Sequence, residues 1–442
     1  MKRILIYSAM MVALVMCSAT TSRASVVINK ETFPDDAFRA YVSSEDIDID
    51  QDRHLDDDEL WWIIWIDVRN KGIKDLKGIE YFTMLEYLYC SNNELTSLDV
   101  SKNTKLKYLF CSNNQLASLD LSSNTKLIRV ACHKNQLTSL NVSKCSDLDS
   151  LACSSNQLTA LDVSNNPKLI RLSVHTNQLT AIDVSKCTAL KRFYCYSNQL
   201  TSLDVTKNTE LDTLYLNYNM VTELDASRNT KLIDLEAVQN QLTSLTLPNT
   251  NTLKVLYCYS NLLTSLDVSK NPSLTLLECT DNRLTALDVS KNTALQFLYC
   301  GANQLPSLTF SPDAPLTVLA CYLNQMKSQA MDDIIASLPN TKEGLFYVFD
   351  TDDITYEGNV CTTKQVAAAK VKGWIPLHKL NSEWWPYPGS EDDTAIEGLK
   401  KNPTDAPATY YDLRGRRLSQ PRKGLNIIRT ENGKCRKVIN GF

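Results

Sequence analysis

A 21-residue period runs through most of this chain and constrains its fold more than any other feature. The segment "LEYLYCSNNELTSLDVSKNTK" fills residues 85–105, and close copies of it follow without an insertion. Counting from Cys90 in steps of 21 gives twelve units, the last of them at Cys321. A unit this short cannot enclose its own apolar side chains, so the copies must stack and bury a shared core.

Each unit repeats the pattern L-x-x-L-x-C-x-x-N-x-L with few departures. In the first copy, apolar Leu88 and Cys90 alternate with Tyr87, Tyr89 and Ser91, which is typical of a half-buried strand. A fixed period with this pattern is typical of leucine-rich repeats. The sequence therefore predicts an α/β solenoid over residues 63–326, with twelve regular coils, a parallel β-sheet on the concave face and a cap at each end.

An asparagine stands three residues after the cysteine column in every unit, from Asn93 to Asn324. At that corner the chain leaves the strand, and its amide groups lose their ladder partners. An Asn side chain has two donor hydrogens and an acceptor that replace them. An apolar residue would leave buried polar groups unpaired, at about 1–3 kcal/mol each. We therefore interpret this column as structural.

The chain contains 14 cysteines, most of them in one column of the repeat. Neighbouring coils bring this column within bonding range by Cα distance, but parallel side chains in a packed core suit the torsion of a disulfide poorly. Val174, Leu216 and Ala237 occupy the same column, so the position accepts an apolar filler. Cys145 and Cys187 share another column, two coils apart. We predict free, buried thiols that pack as small hydrophobic groups.

These repeats resemble those of a known bacterial family. The 21-residue unit, second halves such as "NQLTSLDVSKNT" and the ladder of cysteines are similar to internalin-J-like surface adhesins. The leading unit, "WIDVRNKGIKDLKGIEYFTML", resembles an internalin-type first repeat. The resemblance covers residues 63–326. It implies non-catalytic binding of proteins or surfaces through the concave strand face, in attachment, biofilm formation or virulence.

Residues 1–24 have the features of a secretory signal peptide. They combine a basic start at Lys2, an apolar stretch and a small-residue cleavage site that ends at Ala24. Lipidation at Cys17 is the alternative to this cleavage. Later apolar runs are too short to cross a bilayer. We therefore expect an exported monomer, either secreted or attached to the cell surface or outer membrane.

The segment before the repeats, residues 25–62, predicts a helical cap that contains a loop like that of calcium-binding EF-hands. Acidic residues take positions 1, 3, 5, 9 and 12 of this loop: Asp48, Asp50, Asp52, Asp56 and Glu59. Calcium needs several hard oxygen ligands, and this spacing wraps them around one point. Arg53 stands at position 6, where such loops normally need Gly. The sequence therefore predicts either a structural calcium ion or a solvated acidic cap.

Aromatic residues on both sides of this loop predict a cover for the first coil. They are Phe33, Phe38, Tyr41, Trp61, Trp62 and Trp65.

After Met326 the repeat decays into segments that predict a second cap over residues 327–380. "SQAMDDIIASLP" predicts a helix, "GLFYVFDT" a strand, and "TTKQVAAAKVKGW" a helix that ends at Gly373. Residues 381–404 carry proline and charge without periodicity and predict a linker.

The last segment, residues 405–442, has strand-like runs around Gly415 and Gly424. Its motifs "YDLRGRRL", "KGLNIIR" and "KCRKVI" resemble the C-terminal sorting signal of type IX secretion cargo in Bacteroidetes. The alternative is a small β appendage that packs on the cap.

The composition argues against nucleic-acid binding and against catalysis. The net charge is −4, and the 46 basic residues are spread along the chain, whereas a phosphate-binding surface needs a concentrated basic patch. His133 and His175 fall in one column two coils apart, on the order of 10 Å by strand spacing, which is too far to share a metal ion. The repeated Asp column, from Asp99 to Asp288, is interpreted as a solvated outer ladder balanced by lysines. We predict no enzymatic activity.

The exposed columns of the strand face are rich in tyrosine and arginine. These residue types are enriched where binding energy concentrates, although tyrosine also simply favours strands. The predicted ligand-binding residues are Arg129, His133, Arg171, His175, Arg192, Tyr194, Tyr196, Tyr215, Tyr257 and Tyr259. The expected ligand is a protein on host or bacterial surfaces. A glycan that stacks on the tyrosines is the alternative.

Overall fold

The repeats form short parallel strands in a computed structural model of the chain. The structure describes residues 25–391 and four later strands, so the predicted signal peptide at residues 1–24 lies outside the described residues. The chain divides into a first unit, Met1–Asn166, and a second unit, Pro167–Phe442.

The first unit contains parallel strands spaced by one repeat. Leu88 pairs with Leu109 and Leu109 with Val130, so the apolar columns align without a slip of register. This alignment directs one buried side chain per strand into the core. The strands are Trp65–Asp67, Tyr87–Tyr89, Tyr108–Phe110, Arg129–Ala131 and Ser150–Ala152.

The second unit continues the same pattern of parallel strands. Its strands are Arg171–Ser173, Arg192–Tyr194, Thr213–Tyr215, Asp234–Glu236, Val255–Tyr257, Leu276–Glu278, Phe297–Tyr299, Val318–Ala320, Gly344–Asp350 and Trp374–Leu380. Two shorter parallel pairs form on the second half of the coil: Glu223–Asp225 with Ser244–Thr246, and Asp288–Val289 with Thr309–Phe310. The predicted fold class is confirmed, since the units are parallel-sheet solenoids with about twelve coils in all.

The cysteine column lies in the core, as predicted. All twelve cysteines among residues 25–391 are free and buried. Val174, Leu216 and Ala237 are equally buried in the same column, which shows that the position needs an apolar filler and not a thiol. Burial raises the pKa of the Cys90 thiol to about 12, so it stays protonated and inert at neutral pH.

The first asparagine column makes the hydrogen bonds that its position predicted. The Nδ2 of Asn114 donates to the carbonyl oxygens of Cys90 and Cys111, both at 3.0 Å. Its Oδ1 accepts from the backbone N–H of Leu95 at 3.0 Å. One side chain therefore satisfies backbone groups of two adjacent coils.

A second buried asparagine column was not recognised from the sequence. Its Nδ2 groups also bridge two coils: that of Asn124 donates to the carbonyls of Val100 and Asn103, at 2.9 Å and 3.0 Å. Unlike the first column, its Oδ1 atoms are buried without a partner. Cys145 and Cys187 replace asparagine here in two coils. The column consists of Asn103, Asn124, Asn166, Asn208, Asn229, Asn271 and Asn292.

A left-handed residue precedes the first asparagine column in every coil. These residues have positive φ although none is glycine, and they include Asn92 at 59°, Tyr218 at 56° and Ser260 at 54°. The conformation turns the chain sharply after the strand and costs roughly 1–2 kcal/mol for a residue with a side chain. The full column is Asn70, Asn92, Asn113, Lys134, Ser155, Thr176, Ser197, Tyr218, Gln239, Ser260, Asp281, Ala302 and Leu323.

The repeated aspartates have a local role that differs from the predicted balance with lysines. Oδ1 of Asp99 accepts the backbone N–H of Ser101 at 2.9 Å, and the same contact recurs in later coils. This hydrogen bond is the main cause that lowers the pKa of Asp99, whereas Lys102 contributes least. The column therefore caps turns.

The N-terminal cap contains helices Asp36–Val42 and Asp57–Trp62, and strand Val26–Val27 antiparallel to His54–Leu55. A 3-10 turn at Ile79–Tyr81 lies in the first repeat. Phe33 and Phe38 are fully buried, as predicted. Trp61 and Trp62 are not part of the cover, because they are 59% and 61% exposed at the end of their helix.

The C-terminal cap has its predicted helices, Gln329–Ser337 and Thr363–Val371. It extends into the predicted linker, because strand Glu383–Pro386 pairs antiparallel with the preceding strand and Tyr387 is buried. The last described strands form an antiparallel sheet: Thr409–Tyr411, Arg417–Leu418, Gly424–Arg429 and Cys435–Asn440. Over the described residues, no helix combines the length and apolar character needed to span a bilayer.

Candidate functional site

The predicted binding residues of the first unit are Arg129 and His133, and both already have partners. Arg129 forms an ion pair with Asp149, with Nε and Oδ1 at 3.0 Å. Nδ1 of His133 lies 2.8 Å from Oγ of Ser112. Partial burial and nearby Lys134 lower the pKa of His133, so the imidazole is neutral at pH 7 and does not add the cation that the sequence suggested.

Aromatic rings of the first unit stack on one another along the strand face. Tyr87 and Tyr108 lie 4.7 Å apart with an angle of 3° between their planes, and Tyr89 and Phe110 lie 4.9 Å apart at 4°. Trp65 stacks on Tyr89 at 4.5 Å. Because the rings cover each other's faces, they present edges to solvent. A sugar ring needs an open face, so the glycan alternative is not supported.

In the second unit, the strand face brings predicted residues into one network. The Arg171 guanidinium lies 5.4 Å from the centre of the Tyr194 ring, which meets Tyr215 edge-on at 5.3 Å. The Tyr215 hydroxyl donates to Oδ2 of Asp234 at 2.6 Å. Next to this chain, His175 stacks on Tyr196 at 4.1 Å. Arg192 occupies the same column as Arg171, directly opposite it in the sheet.

Tyrosine and glutamate alternate along one outward-facing, half-buried column of the second unit. Strand pairing places Tyr215 beside Glu236, Glu236 beside Tyr257, Tyr257 beside Glu278, and Glu278 beside Tyr299. We call this row the tyrosine–glutamate column. Adjacent strands lie about 4.8 Å apart, so each carboxylate stands between two aromatic rings. Tyr259 lies in the neighbouring exposed column, two residues after Tyr257.

The carboxylates at this face are half-buried and lack cationic partners. Burial raises the pKa of Asp234, Glu236 and Glu278. No lysine or arginine of the described second-unit residues forms an ion pair with them. These acidic residues are not among the binding residues predicted from the sequence. The available signal was the interruption of the tyrosine column by acids at alternate coils.

The predicted metal ligands divide into two groups in the structure. Carboxylate oxygens of Asp48, Asp50 and Asp52 all lie within 4.8 Å of one another. Asp56 and Glu59 instead form a capping box at the start of helix Asp57–Trp62. The Glu59 oxygens accept the backbone N–H groups of Asp56 at 3.0 Å and Ile49 at 2.7 Å.

Sequence comparisons place the repeats among known proteins. A family profile described as "Leucine Rich repeats (2 copies)" matches residues 83–124. Internalin J of Listeria monocytogenes serotype 4b (strain F2365) is 35% identical over 72 residues, or 16% of this chain. The match spans only 8% of that protein's length.

Solved structures show the same fold over most of the chain. The functional domain of internalin J from Listeria monocytogenes, which includes a cysteine ladder, has 27% identity and a TM-score of 0.50, with 75% of this chain and 83% of that chain covered. Internalin F from Listeria monocytogenes strain 4b F2365 has 18% identity and a TM-score of 0.61, with 81% and 99% covered.

Proposed function

We propose that this leucine-rich-repeat protein, which resembles Listeria internalins, is a non-catalytic binding protein that recognises a protein partner through the strand face of its second unit. The observation that carries the proposal is the tyrosine–glutamate column, whose half-buried carboxylates have no cationic partner; Glu236 accepts a hydrogen bond from the neutral side chain of Asn217. Leucine-rich-repeat proteins as a class bind protein partners.

The chemistry of this column favours a partner with lysine or arginine side chains. A cation that docks at Glu236 or Glu278 meets a carboxylate and lies beside the ring of Tyr257. Charge-assisted hydrogen bonds are roughly twice as strong as neutral ones, and a cation over a tyrosine ring adds about 0.5–2 kcal/mol. The partner supplies the positive charge that the column lacks.

Arg192 and Tyr194 form the other part of the proposed surface. Truncating a buried aromatic or arginine side chain at an interface often weakens binding by about 2 kcal/mol or more. The proposed surface therefore offers both cationic and anionic anchors within one unit. These anchors would fix the position of a single partner that carries complementary charges along the strand face.

The test compares capture of surface proteins by the full chain and by paired variants. The double variant Glu236→Gln, Glu278→Gln should lose a partner that the wild type retains from host or bacterial surface fractions. Its melting temperature at pH 7 should not fall, because each substitution removes a half-buried charge. Arg192→Ala combined with Tyr194→Ala should weaken capture of the same partner.

Matched controls come from the second half of the coils. Glu223→Gln removes an exposed carboxylate, and Lys186→Ala with Lys207→Ala removes exposed cations of the same unit. These variants should capture the partner as the wild type does. Equal loss of capture in the controls, or competition by free sugars, would reject the proposed surface.

The proposal includes export and action at a cell surface, as in an adhesin for attachment or biofilm formation. The basic and apolar residues 1–24 support cleavage after Ala24, with lipidation at Cys17 as the alternative. The resemblance of the repeats to internalin J supports the adhesin role. N-terminal sequencing of the exported protein would separate cleavage from lipidation.

Sorting by a type IX secretion system is proposed for residues 405–442 on the basis of their motifs. Deleting this segment should trap the protein in the periplasm while the repeats still fold. Normal surface display of the shortened chain would instead favour a simple β appendage.

A further inference from the structure

The acidic loop between helices Asp36–Val42 and Asp57–Trp62 has the geometry of a cation site. Oxygen atoms bound to one calcium ion at about 2.4 Å lie no more than about 4.8 Å apart. The carboxylates of Asp48, Asp50 and Asp52 meet this limit, since their ligand atoms all lie within 4.8 Å of one another. Clusters of exposed carboxylates are common without a bound ion, and this cluster differs from them because one of its members is buried.

Asp48 is only 1% exposed, and its Oδ1 has no hydrogen-bond partner. Its other oxygen, Oδ2, accepts the backbone N–H of Arg53 at 3.2 Å. Burying a carboxylate without a partner is costly, and native proteins normally pair such a group or use it to bind a metal ion. One carboxylate oxygen of Asp48 belongs to the set of converging ligand atoms, and the same buried carboxylate carries the unpartnered Oδ1.

The surrounding charges do not neutralise this cluster. Among Asp48, Asp50 and Asp52, one carboxylate forms an ion pair: Oδ1 of Asp52 lies 3.6 Å from Nδ1 of His54, at the exposed side. The backbone at Gln51 and Arg53 is left-handed, with φ of 62° and 65°. The loop therefore holds the strained turns that wrap its three carboxylates around one point.

We propose that this loop binds one Ca²⁺ ion through carboxylate oxygens of Asp48, Asp50 and Asp52. Three hard anionic oxygens favour calcium over zinc, which prefers nitrogen and sulfur ligands. Magnesium keeps several waters and normally binds one or two carboxylates. Glu59 positions the loop, because its carboxylate accepts the N–H of Ile49 between the first two ligands. Bound calcium would fix the N-terminal cap on the first coil.

The experiment is calorimetric titration of the metal-free full chain with calcium chloride, followed by thermal unfolding with and without the ion. The wild type should bind one ion per chain and melt at a higher temperature in calcium. Asp50→Asn should weaken binding at least tenfold, and Asp48→Asn should abolish the thermal shift. Asp46→Asn is the control, since it removes an exposed carboxylate that lies outside the cluster.

Asp48→Asn also tests whether Asp48 is a metal ligand or has only a structural role. The amide oxygen of asparagine still accepts the N–H of Arg53, while the buried charge disappears. The metal-free variant should therefore melt no lower than the metal-free wild type. Absence of heat and of a thermal shift in the wild type at millimolar calcium would overturn the proposal. Equal loss of affinity in Asp46→Asn and Asp50→Asn would also overturn it.

Discussion

Oδ1 of Asn359 accepts a hydrogen bond from the backbone N–H of Met326 at 2.9 Å. Its Nδ2 donates to the carbonyls of Cys321 and Val348, at 2.7 Å and 3.0 Å. Asn324 makes the same set of contacts one coil earlier. Asn359 is therefore the next member of the asparagine column, although it lies far outside the 21-residue period.

Asn359→Leu should destabilise the C-terminal cap. The substitution leaves the N–H of Met326 and the carbonyl of Val348 without partners in a buried site, while the carbonyl of Cys321 keeps the hydrogen bond from Asn324. Each unpaired group costs about 1–3 kcal/mol, so we expect a loss of about 2 kcal/mol or more. Hydrogen exchange at residues 321–361 measures the loss. Asn340→Leu, at an exposed position, should have little effect, and comparable destabilisation by both variants would contradict the assignment.

Glu357 should make the same cap less stable as the pH rises. Burial raises the pKa of Glu357 from 4.5 to about 7, although three backbone N–H groups donate to the carboxylate. Since the folded chain holds this proton more tightly than the unfolded chain, the contribution is fully present below about pH 4.5 and is lost as the pH rises to about 7. The loss is of the order of 3 kcal/mol.

The pH dependence can be assigned by substitution. Hydrogen exchange of the Leu323 amide, which donates to Glu357 at 2.9 Å, should be slower at pH 5 than at pH 8 after correction for the intrinsic rate. Glu357→Gln should flatten this difference, whereas Glu343→Gln, at an exposed site, should retain it. An unchanged pH profile in Glu357→Gln would show that another group is responsible.

Ser260→Gly should stabilise the second unit. Ser260 has a φ of 54°, a conformation that glycine adopts without strain, and the gain is about 1 kcal/mol. Ser265 lies in the same coil without a positive φ, so Ser265→Gly should instead destabilise by roughly 0.5–1 kcal/mol. Thermal unfolding of the two variants provides the comparison. Shifts of the same sign would mean that backbone strain does not limit stability here.

The two asparagine columns should differ in their tolerance of cysteine. Asn219→Cys removes the oxygen that accepts the N–H of Leu200 at 3.0 Å. It also removes the Nδ2 group that donates to two carbonyl oxygens, and the total cost should be about 3 kcal/mol or more. Asn208→Cys should cost about 1 kcal/mol, because it also removes a buried oxygen that has no partner. Denaturant unfolding measures both. Equal losses would contradict a separate role for the second column.

Thiol labelling should distinguish the folded from the unfolded chain. If cleavage follows Ala24, the denatured mature chain should expose 13 cysteines. The twelve buried ones should react slowly in the native state, because burial raises their thiol pKa values, to about 12 for Cys132 and about 11 for Cys187. Mass spectrometry counts the labels. Disulfide-linked peptides from neighbouring coils would overturn the assignment of free thiols.

The sequence alone determined the coil. Its 21-residue period fixes which residues stack, so the parallel strands, the buried cysteines and the first asparagine column followed from counting. In a solenoid each residue contacts the equivalent residue of the next coil, so contacts between coils can be predicted from the repeat spacing. The helices of the C-terminal cap were also predictable, because their signals lie within single segments.

Only the tertiary structure decided features that depend on distances between dissimilar segments. Spacing could not show that Asn359 continues a column across an irregular cap, or that Trp61 and Trp62 are exposed. It placed five acids in one loop, but packing directs Asp48, Asp50 and Asp52 together and assigns Asp56 and Glu59 to a helix cap. Whether a polar atom is buried and paired depends on its neighbours in three dimensions. Inside the array the repeat determines these neighbours, whereas at the two ends it does not.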